Sequence, residues 1–312
     1  MKRSGPILLV ALLCASAFVR RVQIAAGEQP LDHESLHDIT REKSFAADLQ
    51  GGSQVDNTSL EARNNNCASL RERLYDFVIR GRDNQPSRKV PIWQLPHSDA
   101  FFFVSGMTVD ADGAPNAYHP DDTGLDALSN AGVPGQWNGI VTDDDGSPLI
   151  QRDGDPFPGY YISCTSLSDH SKRSNDPNRY VNASKIPYIT LPQEVADAAR
   201  AQLGDFAVVM NLRNGKSSFA IYADIGTLGE GSIGLAENLG IRSDAREGGQ
   251  SNAVFYIVFP DSGNLAPRTL GEIQSEGERL LYEWGGFRKL SSCAEGVDQS
   301  ALGFGEYLGD AP

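Results

Sequence analysis

The 312-residue chain is short of basic residues: 27 Lys and Arg stand against 41 Asp and Glu, which gives a formal net charge of -14. This shortage argues against nucleic acid as a partner, because binding to phosphate backbones depends on Lys and Arg. An acidic surface attracts cationic ligands and raises their local concentration. The same excess of acids also keeps a protein soluble, and from charge alone solubility is the favoured explanation.

Long hydrophobic runs are also missing. The apolar run at residues 7–14 is too short to span a bilayer and no later stretch is long enough, so we expect no membrane association. A basic start, this short run and the small residues Ala15-Ser16-Ala17 predict a secretory signal peptide over residues 1–17, with cleavage after Ala26 as the alternative. Residues 18–66 are polar and aperiodic, which predicts a flexible N-terminal segment.

Cysteine is scarce, and only Cys67, Cys164 and Cys293 follow the predicted signal peptide. Cys67 and Cys293 lie near the ends of residues 67–293, which we predict to form a single domain, and we expect them to form a disulfide that ties these ends together. Cys164 lies in an apolar stretch and is predicted to be a small buried hydrophobe. The spacings of Cys, His and carboxylates are not those of a metal site, so we predict no required metal and no cofactor. Residues 294–312 are small, acidic and glycine-rich and are predicted to be loosely ordered.

An internal repeat, a Walker-type phosphate loop and a G-x-S-x-G elbow are all absent from the sequence. Short β-type runs dominate instead, and strands are predicted at residues 100–104, 137–142, 160–165, 186–191, 206–210, 218–223 and 253–259. Helices are predicted at residues 67–80, after Pro192, and after the capping box of Thr269 and Glu272. This pattern is typical of a mainly β, α+β fold with peripheral helices.

Three local signals refine the arrangement of these strands. Asn214-Gly215 lies between two β-type runs and predicts a hairpin. Pro187 has no N–H for a strand ladder, which predicts that the strand at residues 186–191 lies at a sheet edge. Residues 253–259 form a continuous apolar run, which predicts a central strand.

The rest of the chain is organised around residues 216–240, where Asp224 ends a β-type run and Glu230 follows a glycine-rich connection. Because strand side chains alternate, Asp224 is expected on the face opposite Ile221 and Ala223, toward a cleft. Glycines let a backbone approach a ligand closely, and loops on a rigid scaffold often carry catalytic groups. For this stretch alone, two ordinary acids in a solvated loop are the favoured alternative, because acids mark functional sites only probabilistically.

Further motifs point beyond these two acids. The stretch DADGAPNAYHP at residues 110–120 resembles glycoside hydrolase family 75, the fungal-type endo-chitosanases. Further stretches fit the same family in order: GLD at 124–126, WNGIV at 137–141, PGYYIS at 158–163, IPYI at 186–189, NGKSS at 214–218, ADIG at 223–226 and GEGS at 229–232. The resemblance covers about residues 101–286 and implies a β-rich, barrel-like core, for which the double-psi barrel is the candidate type.

The resemblance also implies a catalytic pair. The essential acids of the family lie in its A-D-I-G and G-E-G-S motifs, which correspond here to Asp224 and Glu230. The family is inverting, so one carboxylic acid is expected to protonate the leaving oxygen while one carboxylate activates a water on the other face. We favour Glu230 as the acid and Asp224 as the base, and the sequence leaves the reverse assignment open.

Chitosan carries protonated amines, so acidic and aromatic side chains are suited to bind it. The predicted substrate-binding residues are Asp110, Asp112, Asn116, Tyr118, Asp121, Trp137 and Tyr160. The three aromatic residues are candidates for stacking on sugar faces, with core packing as an equal alternative for Trp137 and Tyr160. A calcium loop around Asp110 and Asp112 is a weaker alternative, because the remaining ligand positions do not fit an EF-hand.

The prediction from sequence is therefore a secreted, extracellular endo-chitosanase, whose catalytic domain covers residues 67–293 and acts as a monomer on chitosan or partly deacetylated chitin. Two other functions stay open. A non-catalytic polysaccharide-binding protein of the same fold is one, although retention of Asp224 and Glu230 argues against it. A hydrolase of a related amino-sugar glycan is the other, and only assays on polymers of differing acetylation separate it from a chitosanase.

Overall fold

The computed structural model describes residues 67–79 and 87–295. The predicted signal peptide, the predicted N-terminal segment and residues 296–312 of the predicted tail lie outside the described residues. Among the residues that are described, no helix is both long and apolar enough to cross a membrane.

Short strands make up most of the regular structure. The strands are β1 (Glu72–Ile79), β2 (Arg88–Gln94), β3 (Phe101–Asp110), β4 (Gly132–Val133), β5 (Gln136–Trp137), β6 (Tyr188–Leu191), β7 (Phe206–Asn211), β8 (Ser217–Ile225), β9 (Glu230–Ser232) and β10 (Gln250–Phe259). The α-helices of the described residues are α1 (Cys67–Leu70), α2 (Gln193–Ala199), α3 (Ile233–Leu239), α4 (Leu270–Trp284) and α5 (Gly286–Glu295).

Six of these strands close into a barrel. The strands of the main sheet follow the order β1-β2-β3-β10-β7-β8-β6-β9, and β3 also pairs with β9. The β3–β9 pair is parallel and joins the ends of the series β3-β10-β7-β8-β6-β9. The predicted mainly β fold with a barrel-like core and peripheral helices is therefore confirmed. The double-psi designation stays a prediction.

Strand β10 shows how the core is divided. Its alternate residues Val254, Tyr256 and Val258 belong to one buried cluster, together with side chains of β3, β7 and β8. Phe255 and Ile257 point the other way and pack with apolar residues of α4 and α5. Because both faces of β10 are covered and it pairs with β3 and β7, its continuous apolar run is explained by burial on both sides.

The hairpin predicted at Asn214-Gly215 is present. Strands β7 and β8 pair antiparallel from Phe206↔Ile221 to Met210↔Ser217. Gly215 adopts a φ of 74°, a left-handed conformation that glycine reaches without a steric penalty. Its N–H donates to the carbonyl of Asn211 at 2.8 Å, which closes the turn and fixes the register of the strand that carries Asp224.

The prediction of a helix over residues 67–80 is wrong. A short helix ends at Leu70 and strand β1 follows, paired antiparallel with β2. The apolar residues Tyr75, Phe77 and Ile79 alternate with a period of two and pack against the core. Pairing with β2, which lies outside any local sequence window, outweighs the helical spacing of Leu74 and Phe77.

The edge position predicted for the strand near Pro187 is also wrong. Strand β6 begins one residue later, at Tyr188, and pairs with β8 on one side and β9 on the other. Pro187 stays outside the ladder, so its missing N–H costs no strand hydrogen bond, and its carbonyl accepts from the N–H of Ile221 at 3.2 Å. The predicted strands at residues 137–142 and 160–165 are reduced to the two-residue β5 and isolated bridges such as Ile140↔Ser163.

The cysteines lie at buried positions outside the barrel strands. Cys67 of α1 and Cys293 of α5, the two cysteines expected to pair, are joined by a disulfide across 226 residues of sequence. Both belong to the apolar cluster formed with α4 and α5. Cys164 is buried, and its thiol donates to the carbonyl of Asn138 at 3.5 Å.

Candidate active site

Asp224 and Glu230 lie on two strands that flank the same neighbour. Strand β6 lies between β8, which carries Asp224, and β9, which begins at Glu230. Thr190 of β6 is the partner of Asp224, and the antiparallel pair Ile189↔Gly231 puts Thr190 opposite Glu230 as well. Adjacent strands are about 4.8 Å apart, so the backbones that carry the two acids are separated by at most about 9–10 Å, and the curvature of the barrel shortens this distance.

The Asp224 carboxyl is buried and has one oxygen held by three donors. Its Oδ1 accepts from the Ser166 N–H at 3.0 Å, from the Ser166 hydroxyl at 2.5 Å and from the N–H of Ile225 at 2.8 Å. Three donors on one oxygen favour the ionised carboxylate, since such bonds are strongest when the acceptor is charged. Ser166 therefore orients this acid and stabilises its charge.

The Glu230 carboxyl is held differently. Its Oε2 contacts the N–H of Thr227 and the hydroxyl of Thr190, both at 3.1 Å. A Cβ on Gly226 would lie 2.7 Å from the same oxygen, so only glycine leaves room for the carboxyl here. The glycine-rich connection between the two acids thus supplies both a backbone donor and the space that Glu230 fills.

Asp110 and Asp112 complete a cluster of carboxyls. Strand β3 ends at Asp110 and runs parallel to β9, with Thr108 as the partner of Glu230. One carboxylate oxygen each from Asp110, Asp112 and Asp224 lies within 4.8 Å of the others. Carboxyl groups this close cannot all be ionised without a compensating proton or cation. The spacing is compatible with either, and the absence of a required metal stays a prediction.

Burial and mutual repulsion set the electrostatics of the cluster. Desolvation, reinforced by the charge of Asp110, raises the pKa of Asp224 to about 7 and that of Glu230 to about 8. Desolvation raises the pKa of Asp110 to about 6, and the negative charge of Asp126 adds to this effect. The pKa of Asp112 lies well above its usual range because of burial and the neighbouring charges of Asp110 and Asp224. Both Asp224 and Glu230 therefore hold a proton more readily than an exposed carboxyl does.

The hydroxyls of two buried tyrosines form hydrogen bonds with Asp110 and Asp112. The Tyr118 hydroxyl donates to Asp112 Oδ1 at 2.6 Å and lies 3.5 Å from Asp126. The Tyr188 hydroxyl donates to the backbone carbonyl of Asp112 at 3.0 Å and is in hydrogen-bond contact with the Asp110 side chain. Tyr118 is only 1% exposed, so the prediction that its ring stacks on a sugar is wrong: the ring belongs to the core and only its hydroxyl serves the site.

The other predicted binding residues lie around the cluster at differing depth. Asp121 has a side chain that is 84% exposed, and its carboxyl lies 3.9 Å from His119 Nδ1. Asn116 is half-buried, and its carbonyl accepts from the N–H of Leu125 at 3.0 Å. These two residues are not among the cluster of close carboxyls, and their role in binding substrate stays a prediction.

The aromatic candidates Trp137 and Tyr160 are both half-buried. Trp137 lies on β5, with its ring 6.4 Å from that of Tyr161. Tyr160 is flanked edge-on by His119 at 4.8 Å and by the more exposed Phe157 at 5.7 Å. Each ring is partly packed and partly accessible, so a stacking role stays a prediction for both.

Several site residues escape sequence reasoning. Ser166 and Thr190 contact the two catalytic candidates but are 58 and 40 positions away from Asp224 and Glu230 respectively. Both look like ordinary polar residues beside apolar runs, and no local spacing singles them out. The only signal was the IPYI stretch of the family resemblance, which ends one residue before Thr190.

The raised pKa values predict a characteristic dependence of stability on pH. A carboxyl whose pKa is higher in the folded than in the unfolded state binds more protons when folded, so its contribution is full below about pH 4 and is lost as pH rises. The pH range over which this stability is lost ends near the pKa of about 8 of Glu230. We therefore expect the free energy of unfolding to fall by on the order of 3 kcal/mol between pH 5 and pH 8.5.

Urea unfolding at a series of pH values measures this slope. The Glu230→Gln variant carries no titrating group at that position, so it should be more stable than the wild type at pH 8 and show a shallower decline. A wild-type stability that rises steadily from pH 5 to pH 8 would contradict the proposed electrostatics.

The sequence model of one family, described as fungal chitosanase of glycosyl hydrolase group 75, matches residues 107–278. The matched region runs from within β3 to within α4 and contains the four clustered acids together with Ser166 and Thr190. A search of curated protein sequences finds no match.

Proposed function

Since the chain belongs to glycosyl hydrolase group 75, the fungal chitosanases, and is thereby a chitosanase-type glycoside hydrolase, we propose that it is an inverting endo-chitosanase that cleaves β-1,4 links between glucosamine residues. The observation that carries this proposal is the pair Asp224 and Glu230, one buried and one half-buried acid that flank Thr190 and have unlike hydrogen-bond surroundings. Asp224 Oδ1 has three donors that stabilise a carboxylate and Glu230 Oε2 has two, which supports the division into one base and one acid that a single displacement requires.

Asp224 is proposed as the general base. The three donors on Oδ1 keep that oxygen occupied, so Oδ2 is the atom that takes a proton from the attacking water. Glu230 is proposed as the general acid, because its raised pKa favours the protonated form and its Oε2 has two donors where Asp224 Oδ1 has three. This is the assignment favoured from the sequence.

The reaction then follows in one step. Water adds to the anomeric carbon from the Asp224 side while the bond from that carbon to the glycosidic oxygen breaks. The proton of Glu230 passes to the leaving oxygen, and Asp224 receives the proton of the water, so the anomeric configuration is inverted. Such a mechanism needs carboxyl groups about 6.5–9.5 Å apart, and the intervening strand β6 supports a separation of this size.

The clustered acids support a cationic substrate. Asp110 and Asp112 are close to Asp224 and destabilise one another when ionised. An ammonium group bound beside them would relieve this repulsion and stabilise their charged forms. A neutral acetamido group cannot do so, and we therefore propose glucosamine rather than N-acetylglucosamine in the sugar position next to these acids.

Secretion is part of the proposal. The Cys67–Cys293 disulfide fits a protein that matures in an oxidising compartment, as the predicted signal peptide requires. The enzyme is proposed to act outside the cell as a monomer.

Release of reducing ends from highly deacetylated chitosan tests the activity, with chitin and carboxymethylcellulose as controls and NMR to follow the newly formed anomer. We expect cleavage of chitosan only, with the α-anomer appearing first. First appearance of the β-anomer would overturn the inverting mechanism. Preferential cleavage of acetylated polymer would favour the related amino-sugar glycan, and binding of chitosan without any cleavage by the folded protein would favour the non-catalytic function.

A further inference from the structure

Thr190 occupies the position between the two catalytic candidates. It is 1% exposed and lies on β6, where it is the partner of Asp224 and touches Glu230. The pairing of β6 with β8 has an irregularity between Ile189 and Thr190, which brings Thr190 rather than its neighbour into line with Asp224. Such irregularities re-aim side chains and are common beside active sites.

The Thr190 hydroxyl links two parts of the Glu230 environment. Its single proton is shared between the carbonyl of Thr227, 2.6 Å from Oγ1, and Glu230 Oε2, 3.1 Å from Oγ1. The N–H of Thr227 donates to the same Oε2 at 3.1 Å. Oε2 is thus turned toward two donors and acts as an acceptor, so the proton of the protonated carboxyl is placed on the other oxygen, Oε1.

The geometry of this corner is rigid. A Cβ on Gly226 would lie 2.7 Å from Glu230 Oε2 and 3.1 Å from Thr190 Oγ1, so the two groups are closely packed against the Gly226 backbone. Threonine is branched at Cβ, which restricts χ1 and fixes the direction of the hydroxyl. The backbone of Thr190 is also fixed, because β6 is paired with β8 on one side and with β9 on the other.

We propose that Thr190 is a positioning residue for the general acid: by holding Oε2 of Glu230 as an acceptor, it leaves the acid proton on Oε1, the oxygen free to face the leaving group. The residue does not touch the reacting atoms and acts only through Glu230. Ser166 serves Asp224 in the corresponding way, since it donates to Oδ1 and leaves the other oxygen to the water. The inference rests on the proposed glycosidase mechanism.

The experiment compares two leaving groups. When chitosan is cleaved, the leaving group is the oxygen of a sugar hydroxyl, which must be protonated by an acid. The 2,4-dinitrophenyl β-glycoside of a glucosamine oligomer instead releases a stable phenolate, which needs no acid. For Thr190→Val, which keeps the branched shape and loses the hydroxyl, we expect kcat on chitosan to fall by about 10- to 50-fold with KM within about twofold. On the dinitrophenyl substrate the same variant should stay within about threefold of the wild type.

Matched variants separate positioning from structural damage. Ser166→Ala weakens the base, which both substrates require, and should lower kcat on both alike. Thr190→Ser keeps the hydroxyl and should recover most of the turnover lost in Thr190→Val. Thr269→Val removes another threonine hydroxyl, one that caps α4, and should lower the melting temperature without changing either activity.

Three results would overturn the assignment of Thr190. They are an equal loss on both substrates, full activity of Thr190→Val on chitosan, or no recovery in Thr190→Ser. If Thr190→Val does not fold, Thr190→Ala is compared with Thr190→Ser in the same two assays. The deciding quantity is again the loss of kcat on chitosan relative to the loss on the dinitrophenyl substrate. Wild-type cleavage of chitosan in the first assay tests the proposed function separately, so the two failures are distinguishable.

Discussion

Replacing Glu230 by Gln is expected to lower kcat on chitosan by about 1,000-fold or more, because the amide cannot supply the proton that the leaving oxygen needs. The fold should survive the change. The amide oxygen can still accept from Thr227 and Thr190, and its volume fits the space left by Gly226. Binding of chitosan oligomers, measured by calorimetry, should stay within a few-fold of the wild type.

Asp224→Asn gives the companion result. Its amide can still occupy the place between Ser166 and Ile225, but it cannot take a proton from water. We expect a loss of similar size on chitosan that persists on a substrate with an activated leaving group, whereas Glu230→Gln should recover part of its activity there. If Asp224→Asn recovers activity on the activated substrate and Glu230→Gln does not, then Asp224 is the acid and Glu230 is the base.

Glu278→Gln is a suitable control, since it removes one negative charge from the exposed side of α4 and should leave turnover unchanged. A Glu230→Gln enzyme that hydrolyses chitosan at close to the wild-type rate would remove Glu230 from the mechanism.

The proposed catalytic pair could be singled out from the sequence because its signals are local. Asp224 ends a β-type run and Glu230 follows glycines, and both belong to short motifs of the family resemblance. The hairpin before Asp224 has an equally local cause in Asn214-Gly215. In these places the residues that decide the structure are neighbours in the chain, so propensity and turn chemistry are sufficient.

Other features depend on the closing of the barrel. Thr190 meets Glu230 only because β6 is inserted between β8 and β9, a strand order that periodicity does not contain. The same limitation explains the mistaken edge position of β6 and the mistaken extension of the first helix over the residues of β1, since the partners that overrule the local pattern come from distant parts of the chain. Tyr118 was misjudged for a related reason: its motif indicated the site, but only packing shows that the ring lies beneath it.

The disulfide is expected to make the largest contribution of any single covalent feature to stability. It closes 226 residues of sequence, and the loss of loop-closure entropy from the unfolded chain is worth about 5 kcal/mol for a loop of this length. For the double variant Cys67→Ser and Cys293→Ser we expect the free energy of unfolding to fall by about 3–5 kcal/mol in urea titrations. Full reduction of the wild type should give a similar value.

Cys164→Ala is the matched control, because it removes a buried thiol that takes no part in the disulfide. This substitution should lower the free energy of unfolding by about 1 kcal/mol. A double variant that loses no more than this control would mean that the ends of the domain are held by packing alone, through the buried cluster that contains Leu290 and Trp284.

The same double variant should retain its activity at 25 °C, which distinguishes stability from catalysis. Neither cysteine lies on a barrel strand, whereas Asp110, Asp224 and Glu230 all do. Loss of the cross-link acts mainly on the unfolded chain and leaves the six paired strands that fix the acids intact. Turnover at 25 °C within about twofold of the wild type, with inactivation at a lower temperature, would show that the site depends on the barrel and that the disulfide serves to keep the barrel folded.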